Sequence, residues 1–178
     1  MSKEIVAIIG GPSSGKSTLL NKLAENGNVC YPEISREVIK EAQEKGIEQL
    51  FLTQPLLFSE MLLKGRIDQF EQANKELHNL IFIDRGIPDI LAYMHYIGDE
   101  YPEAFHEACL NYKYTKIFFL PIWKEIYVSD QERYESYEQA LNIEKYLMDT
   151  YKKYDYNVIE VPKDSVENRI QFIMDNLK

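Results

Sequence analysis

The sequence is poor in several of the residues that chemistry most often uses. It has two cysteines, Cys30 and Cys109, and neither sits in a C-x-x-C pair or beside a histidine. That spacing excludes a zinc-ribbon or finger site. One Cys30–Cys109 bond is the most the sequence could form, far below the cysteine density of a secreted scaffold. Histidine is nearly as scarce: His78, His95 and His106 are expected in separate helical stretches, and no His-x-x-x-His spacing occurs. Positive charge is also short. Lys+Arg total 20 against 29 Asp+Glu, a net charge of −9, which argues against the extended basic face that nucleic acid or an anionic membrane needs. A small basic pocket remains open, and with only five arginines (Arg36, Arg66, Arg85, Arg133 and Arg169) each has to be placed. Long apolar runs are missing too. The first, Ile5–Ile9, is five residues long and runs into glycines, too short for the apolar core of a signal peptide or for a membrane span. The expectation is a cytoplasmic protein with reduced thiols and no membrane span.

No repeat, low-complexity tract or Pro/Gly/Ser-rich linker divides the chain, so residues 1–178 read as one domain. Hydrophobic residues at 45% and charged residues at 28% suffice for a packed core, which excludes disorder for the body of the chain. Four short runs rich in Ile, Val and Phe read as buried strands: Glu4–Ile9, Leu80–Asp84, Thr115–Leu120 and Asn157–Val161. Asn28–Tyr31 is a weaker fifth. Helical spacing fills the intervals. Lys16–Glu25 carries Leu19, Leu20 and Leu23, and a second stripe runs through Ile34, Val38, Ile39 and Ala42. Thr53 is read as the cap of a long helix bearing Leu56, Met61, Leu63, Ile67, Phe70 and Leu77. Pro88 marks another helix start, Glu132–Tyr154 another helix, and Asp164–Glu167 resembles a capping box before the last one. The many tyrosines of the Glu132–Tyr154 stretch fall near helical spacing and read as packing, and its acids as a solvated face. Apolar strands alternating with helices mean parallel βαβ units, hence an α/β protein of three layers with about five parallel strands and helices on both faces. Ligands of such sheets bind beyond the carboxyl ends of the strands.

Beyond the first strand stands Gly10-Gly11-Pro12-Ser13-Ser14-Gly15-Lys16-Ser17-Thr18, a complete G-x-x-x-x-G-K-[ST] phosphate loop. Average residue usage gives the fixed positions a chance of about 0.5% of arising somewhere in a chain this long. Here they also have the required strand before and helix after. Glycines let backbone approach a phosphate, the N–H groups of Gly11, Ser13, Ser14 and Gly15 can form an anion nest, and the helix N-terminus adds its dipole. Lys16 is expected on the β- and γ-phosphates, the Ser17 hydroxyl on Mg²⁺, and Thr18 at the α-phosphate or simply at the helix start. The alternative, a glycine-rich turn that binds nothing, leaves the Gly-Lys-Ser triplet unexplained.

Three further segments fall on the same expected edge. Leu80–Asp84 delivers a carboxylate at its end, the Walker B arrangement, with Asp84 placed to orient the Mg²⁺ shell or an acceptor hydroxyl and Arg85 to grip a phosphate or carboxylate. The plainer reading is a helix-capping Asp beside a surface Arg. Glu33 and Arg36 are three apart, either a surface ion pair on one helical face or a base and an acceptor contact. Residues 121–133 hold the only Trp and end in Asp130…Arg133, suiting a lid whose Arg133 approaches the transferring phosphoryl group, or else a capped helix start with a solvated arginine.

With GGPSSGKST at 10–18, YPEISRE at 31–37, IFIDRGIPD at 81–89, KIFFLPIW at 116–123, DQERYE at 130–135 and VIEVPKDSVENRI at 158–170, the chain resembles the AAA-type P-loop ATP-binding domains related to nicotinamide riboside kinase domains and to the TRP-translocation-defect proteins of animals. The resemblance spans essentially the whole chain. It implies a P-loop NTPase fold of the nucleoside/nucleotide-kinase type with the phosphate-loop strand central. It implies a carboxylate and lid arginines flanking an acceptor site, and the base of the nucleotide near Pro162 and Lys163. ATP with Mg²⁺ is the expected cofactor pair and GTP stays open, since a branch of these proteins binds GTP as a regulator. No arginine finger, sensor segment or oligomer motif of mechanical AAA+ motors is present. Two functions are carried forward. One is a kinase that moves a γ-phosphoryl group to a small-molecule hydroxyl or phosphate acceptor. The other is a nucleotide-switched module with slow hydrolysis and a protein or lipid partner that the sequence does not identify.

Overall fold

The first strand, β1 (Glu4–Ile9), is apolar after Glu4 because both of its faces are covered. Ile5, Ala7 and Ile9 enter one core cluster with Ile81, Ile83, Ile117 and Phe119, whereas Val6 and Ile8 enter another with Phe82 and Phe118. The computed structural model, which describes residues 3–126 and 136–177, resolves this alternation into a five-stranded sheet. The other strands are β2 (Val29–Tyr31), β3 (Leu80–Asp84), β4 (Lys116–Phe119) and β5 (Val158–Glu160), in the spatial order β2-β3-β1-β4-β5 with every pairing parallel. All five expected strands are present, β2, β4 and β5 one or two residues shorter than read.

Helices α1 (Lys16–Glu25) and α8 (Val166–Asp175) cover one face through Leu19, Leu20, Leu23 and Ile173. The other face is covered by α4 (Pro55–Lys75), α5 (Ile87–Ile97) and α7 (Tyr137–Lys153) through Phe70, Ala73, Ala92, Ile143, Leu147 and Tyr151. Helices α2 (Ser35–Glu44), α3 (Leu50–Thr53) and α6 (Glu103–Asn111) build an all-helical annex against α4 and α5 around Val38, Leu50, Leu63, Leu91 and Phe105. The order reverses at β1, whose chain leaves toward β2 while β3 leads to β4, so a crevice opens beyond the ends of β1 and β3. Among the described residues, no helix is long and apolar enough to cross a membrane. Cys30 and Cys109 are both free thiols.

Several boundaries depart from the sequence reading. Thr53 does not cap α4; it ends α3, and its hydroxyl donates to the Glu48 and Gln49 carbonyls. Pro55 opens α4 and forces Gln54 out of helical geometry, φ −140° and ψ 65°. Leu77 lies beyond that helix and is 95% exposed, because Glu76 turns extended. The Lys3 ammonium caps the freed carbonyls of Ala73 and Asn74. His78 therefore sits in the bend before β3 rather than in a helix. Helix α7 starts at Tyr137, with Ser136 and Gln139 forming a reciprocal capping box. Asp130, Arg133 and Tyr134 lie outside the described residues. At α8 the cap is Ser165, whose oxygen accepts from Asn168 N, and Asp164 accepts from the Asn168 side chain, so Glu167 takes no part.

The turn from β3 to α5 is tightly packed. A Cβ on Gly86 would lie 2.4 Å from the Tyr151 hydroxyl and 2.9 Å from the Tyr114 ring, both buried and hydrogen-bonded. Gly86→Ala is expected to lower unfolding free energy by about 2–3 kcal/mol, as overpacking of a fixed core does. Urea denaturation measures it, and an unchanged midpoint would show that the two tyrosines yield freely.

Candidate functional site

The phosphate loop follows β1 with a backbone that only these residues allow. Gly10 has φ +154°, and a Cβ there would lie 2.4 Å from the Leu120 carbonyl where β4 ends; Gly15 has φ +86°. Ser13 is also left-handed, φ +59°. The Lys16 ammonium folds over the loop and donates to Gly10 O (2.9 Å), Gly11 O (2.8 Å) and Ser14 Oγ (3.2 Å), while Ser14 Oγ donates to Gly11 O (3.0 Å). Burial, and then the nearby Arg85, push the Lys16 pKa down to about 8, against the pull of Asp84, Asp89 and Glu33. It is still charged at neutral pH. Ser17 and Thr18 are exposed on the first turn of α1.

Beside the loop, β3 ends in Asp84, in register with Ile8. Arg85 turns left-handed (φ +66°), and its N–H donates to Ile8 O at 3.0 Å, locking the corner to β1. Its guanidinium meets Glu33 Oε2 at 2.6 Å and Asp89 Oδ1 at 3.4 Å and lies over the Tyr93 ring at 5.6 Å. The reading of Asp84 as a helix cap beside a surface Arg does not hold. Gly86 occupies the cap of α5, closed by Asp89, and the Arg85 side chain is only 15% exposed. The surface-pair reading of Glu33 and Arg36 also fails. Helix α2 begins at Ser35, so Glu33 precedes it and shares no helical face with the exposed Arg36. Glu33 instead accepts from the backbone N–H groups of Ile34 (3.0 Å) and Ser35 (3.1 Å), and from Arg66 at 3.3 Å. Burial alone would raise its pKa, but Arg66, Arg85 and the Ser35 N–H overcome that and hold it below the ordinary carboxylate range.

Two members of this cluster were not read from the sequence. Arg66, 4% exposed on α4, donates to Gly86 O and Glu33. Asp89, 1% exposed, accepts from Gly86 N at 2.9 Å and the Tyr151 hydroxyl at 2.5 Å. Their signal was a charge inside an apolar helical stripe, Leu62-Leu63…Arg66…Phe70 and Ile87…Asp89-Ile90-Leu91. Asp84 is different. Its Oδ1 is buried with no hydrogen-bond partner, and burial raises its pKa more than Lys16 and Arg85 lower it. An orphaned carboxylate oxygen near the loop Lys, with the Ser17 hydroxyl exposed at the start of α1, fits a hard divalent cation of the Mg²⁺ type. Among the described residues, no protein-only cluster of three or more His, Cys, Asp or Glu could hold a metal.

Opposite the Arg85 corner, Pro162 and Lys163 follow β5 and are exposed. The candidate lid is described as far as Ile126; it leaves β4 with Leu120 and Ile122 buried, and Ile126 sits near Gly15. The acids of α7 are not all a solvated face. Glu144 is half-buried, accepts from Ile122 N, and packs its Cγ against Gly11. Burial pushes its pKa up to about 7 despite the Ile122 N–H, Lys163 and Lys16. The folded form therefore binds a proton more tightly than the unfolded chain. Stability from this group is greatest below about pH 4.5 and is lost as pH rises through about 7. Glu144→Gln keeps the acceptor and removes the charge. It is expected to melt higher than the parent at pH 8, with the gap closing toward pH 4.5. An equal or lower melting temperature at pH 8 would contradict this.

With the geometry in place, comparison with known proteins is informative. The AAA domain family profile matches residues 5–169. No curated protein matches the chain. Solved structures do. Deoxyadenosine kinase from M. mycoides has 17% identity and a TM-score of 0.71, covering 97% of this chain and 98% of its own. Thymidylate kinase from Candida albicans has 16% and 0.70, covering 99% and 91%. NadR protein in complex with NR has 17% and 0.76, covering 98% of this chain and 50% of its own, so this chain spans about half the length of NadR. These likenesses establish the fold, the three-layer α/β architecture of P-loop nucleotide kinases. Together with the match over nearly the whole chain, they agree with the resemblance read from the motifs: the chain belongs to the AAA domain family of P-loop proteins.

Proposed function

We propose that this protein is a kinase that transfers the γ-phosphoryl group of ATP, with Mg²⁺, to a small nucleoside- or nucleotide-like acceptor. The observation that carries the reading is the 2.6 Å Glu33–Arg85 pair at the sheet edge, next to the phosphate loop and to the orphaned oxygen of Asp84. A site that only bound and released nucleotide would use the loop, Ser17 and Asp84, but would have no use for a further carboxylate–arginine pair beside them. The fold shared with a deoxyadenosine kinase and a thymidylate kinase supports the same class.

In this reading the N–H groups of Gly11 and of residues 13–18 cradle the polyphosphate, and Lys16 leaves the Gly10 and Gly11 carbonyls for the β- and γ-phosphates. Pro162 and Lys163 flank the nucleotide base. Asp84 and Ser17 hold Mg²⁺, which when bound neutralises charge on the phosphoryl oxygens. Glu33 orients the acceptor hydroxyl and takes its proton. Held ionised by Arg66 and Arg85, it is a weak base, which a loose transition state tolerates because the proton leaves late. Arg85 stabilises the charge spreading over the moving group, Arg36 serves the acceptor, and Arg133 serves the phosphoryl group.

Lys16→Ala is expected to abolish nucleotide binding while the circular dichroism spectrum is retained. Glu33→Gln should keep binding but lower phosphoryl transfer at least tenfold, about 1.4 kcal/mol of barrier. A screen of nucleosides, nucleotides and pyridine nucleosides as acceptors, with nucleotide turnover as readout, tests the class. If no acceptor raises turnover above the water rate, the kinase reading falls and a nucleotide-switched module with slow hydrolysis takes its place.

A further inference from the structure

Arg169 stands apart from the other buried cations. It is 3% exposed on α8, and among the described residues its one hydrogen bond is from Nη2 to the Ser14 carbonyl at 2.9 Å. Its Nε, like that of Arg66, is buried with no partner; what sets Arg169 apart is that no carboxylate among the described residues pairs with it. Arg66, equally buried, has Glu33 and Gly86 O. A guanidinium taken out of water without a counter-ion is costly and is retained only where something repays it.

Its position says what that is. The Ser14 carbonyl and the Gly15 N–H belong to one peptide unit of the phosphate loop. A cation on the carbonyl polarises that unit and makes the N–H a stronger donor to an anion on the other side. Nη1 lies 3.0 Å from where a Gly15 Cβ would be, so the guanidinium is seated directly against the loop backbone. We infer that Arg169 is a positioning residue of the nucleotide site, acting through the Ser14–Gly15 peptide, and that the polyphosphate of the bound nucleotide supplies its missing counter-charge. The inference rests on the phosphate-loop reading and goes beyond it, because no phosphate-loop motif includes a residue of the last helix.

Arg169→Gln and Arg169→Lys are compared with the parent by calorimetric titration of ATP and of inorganic tripolyphosphate, alongside melting of the ligand-free proteins. Relief of an unpaired buried charge should leave ligand-free Arg169→Gln as stable as the parent or more so, which a purely structural arginine would not do. Its affinity for both ligands should fall at least tenfold, and Arg169→Lys should recover part of the loss. Unchanged tripolyphosphate affinity in Arg169→Gln overturns the inference, and so does a lower ligand-free melting temperature in both variants. Should Arg169→Gln fail to fold, Arg169→Lys decides: parent-like stability with weakened tripolyphosphate binding supports the role, and unweakened binding overturns it. A parent that binds neither ligand would instead defeat the phosphate-loop reading itself.

Discussion

The sheet edge can exist only because its buried charges neutralise one another. Lys16, Arg66 and Arg85 face Glu33, Asp84 and Asp89 in a region where an unpaired ion would cost several kcal/mol. The pairing is not symmetrical. Arg85 is clamped by Glu33 and Asp89, and Arg66 bridges Glu33 to the Gly86 carbonyl, so those four side chains hold α4, the β2–α2 connection and the β3–α5 turn in one frame. Lys16 and Asp84 stay outside the frame, the lysine resting on its own loop's carbonyls and the carboxylate with an unmet oxygen. In the proposed reaction these two groups are left for the polyphosphate and its metal, while Glu33 and Arg85 act from the frame itself.

Tyrosines tie this frame to the core. The Tyr151 hydroxyl reaches Asp89 from α7, and the Tyr114 hydroxyl accepts from Ile87 N just before β4. Glu144, on the same helix as Tyr151, accepts from the backbone at the start of the candidate lid and packs against Gly11. Helix α7 thus braces the acidic corner near its C-terminal end and the phosphate loop from its middle.

Much of this was legible in the sequence, for reasons that can be stated. The strands announced themselves because parallel strands covered on both faces must be apolar at nearly every position, as Ile5–Ile9 and Ile81–Ile83 are. The phosphate loop was legible because its backbone needs glycine at fixed places and its chemistry needs Lys16. Arg66, Glu144 and Arg169 were hidden because each finds its partner across the fold: Arg66 meets Glu33, and Arg169 meets Ser14, 155 positions away. No local period encodes such contacts. Thr53 misled because a capping residue next to a helix is a strong local signal, yet Pro55 dictates the backbone of the residue before it and shifts the start of α4. The shared-face reading of Glu33 and Arg36 fails for a similar reason: their spacing is helical, but α2 begins only at Ser35, after Glu33.

The central claim is that the loop and the acidic corner form one metal-nucleotide site, with Asp84 as the joint. The most direct measurement is ATP affinity with and without Mg²⁺, in the parent and in Asp84→Asn. One shared site predicts that Mg²⁺ tightens ATP binding to the parent and that most of this gain disappears in Asp84→Asn, while binding without Mg²⁺ is kept. An equal Mg²⁺ gain in both proteins would contradict the account.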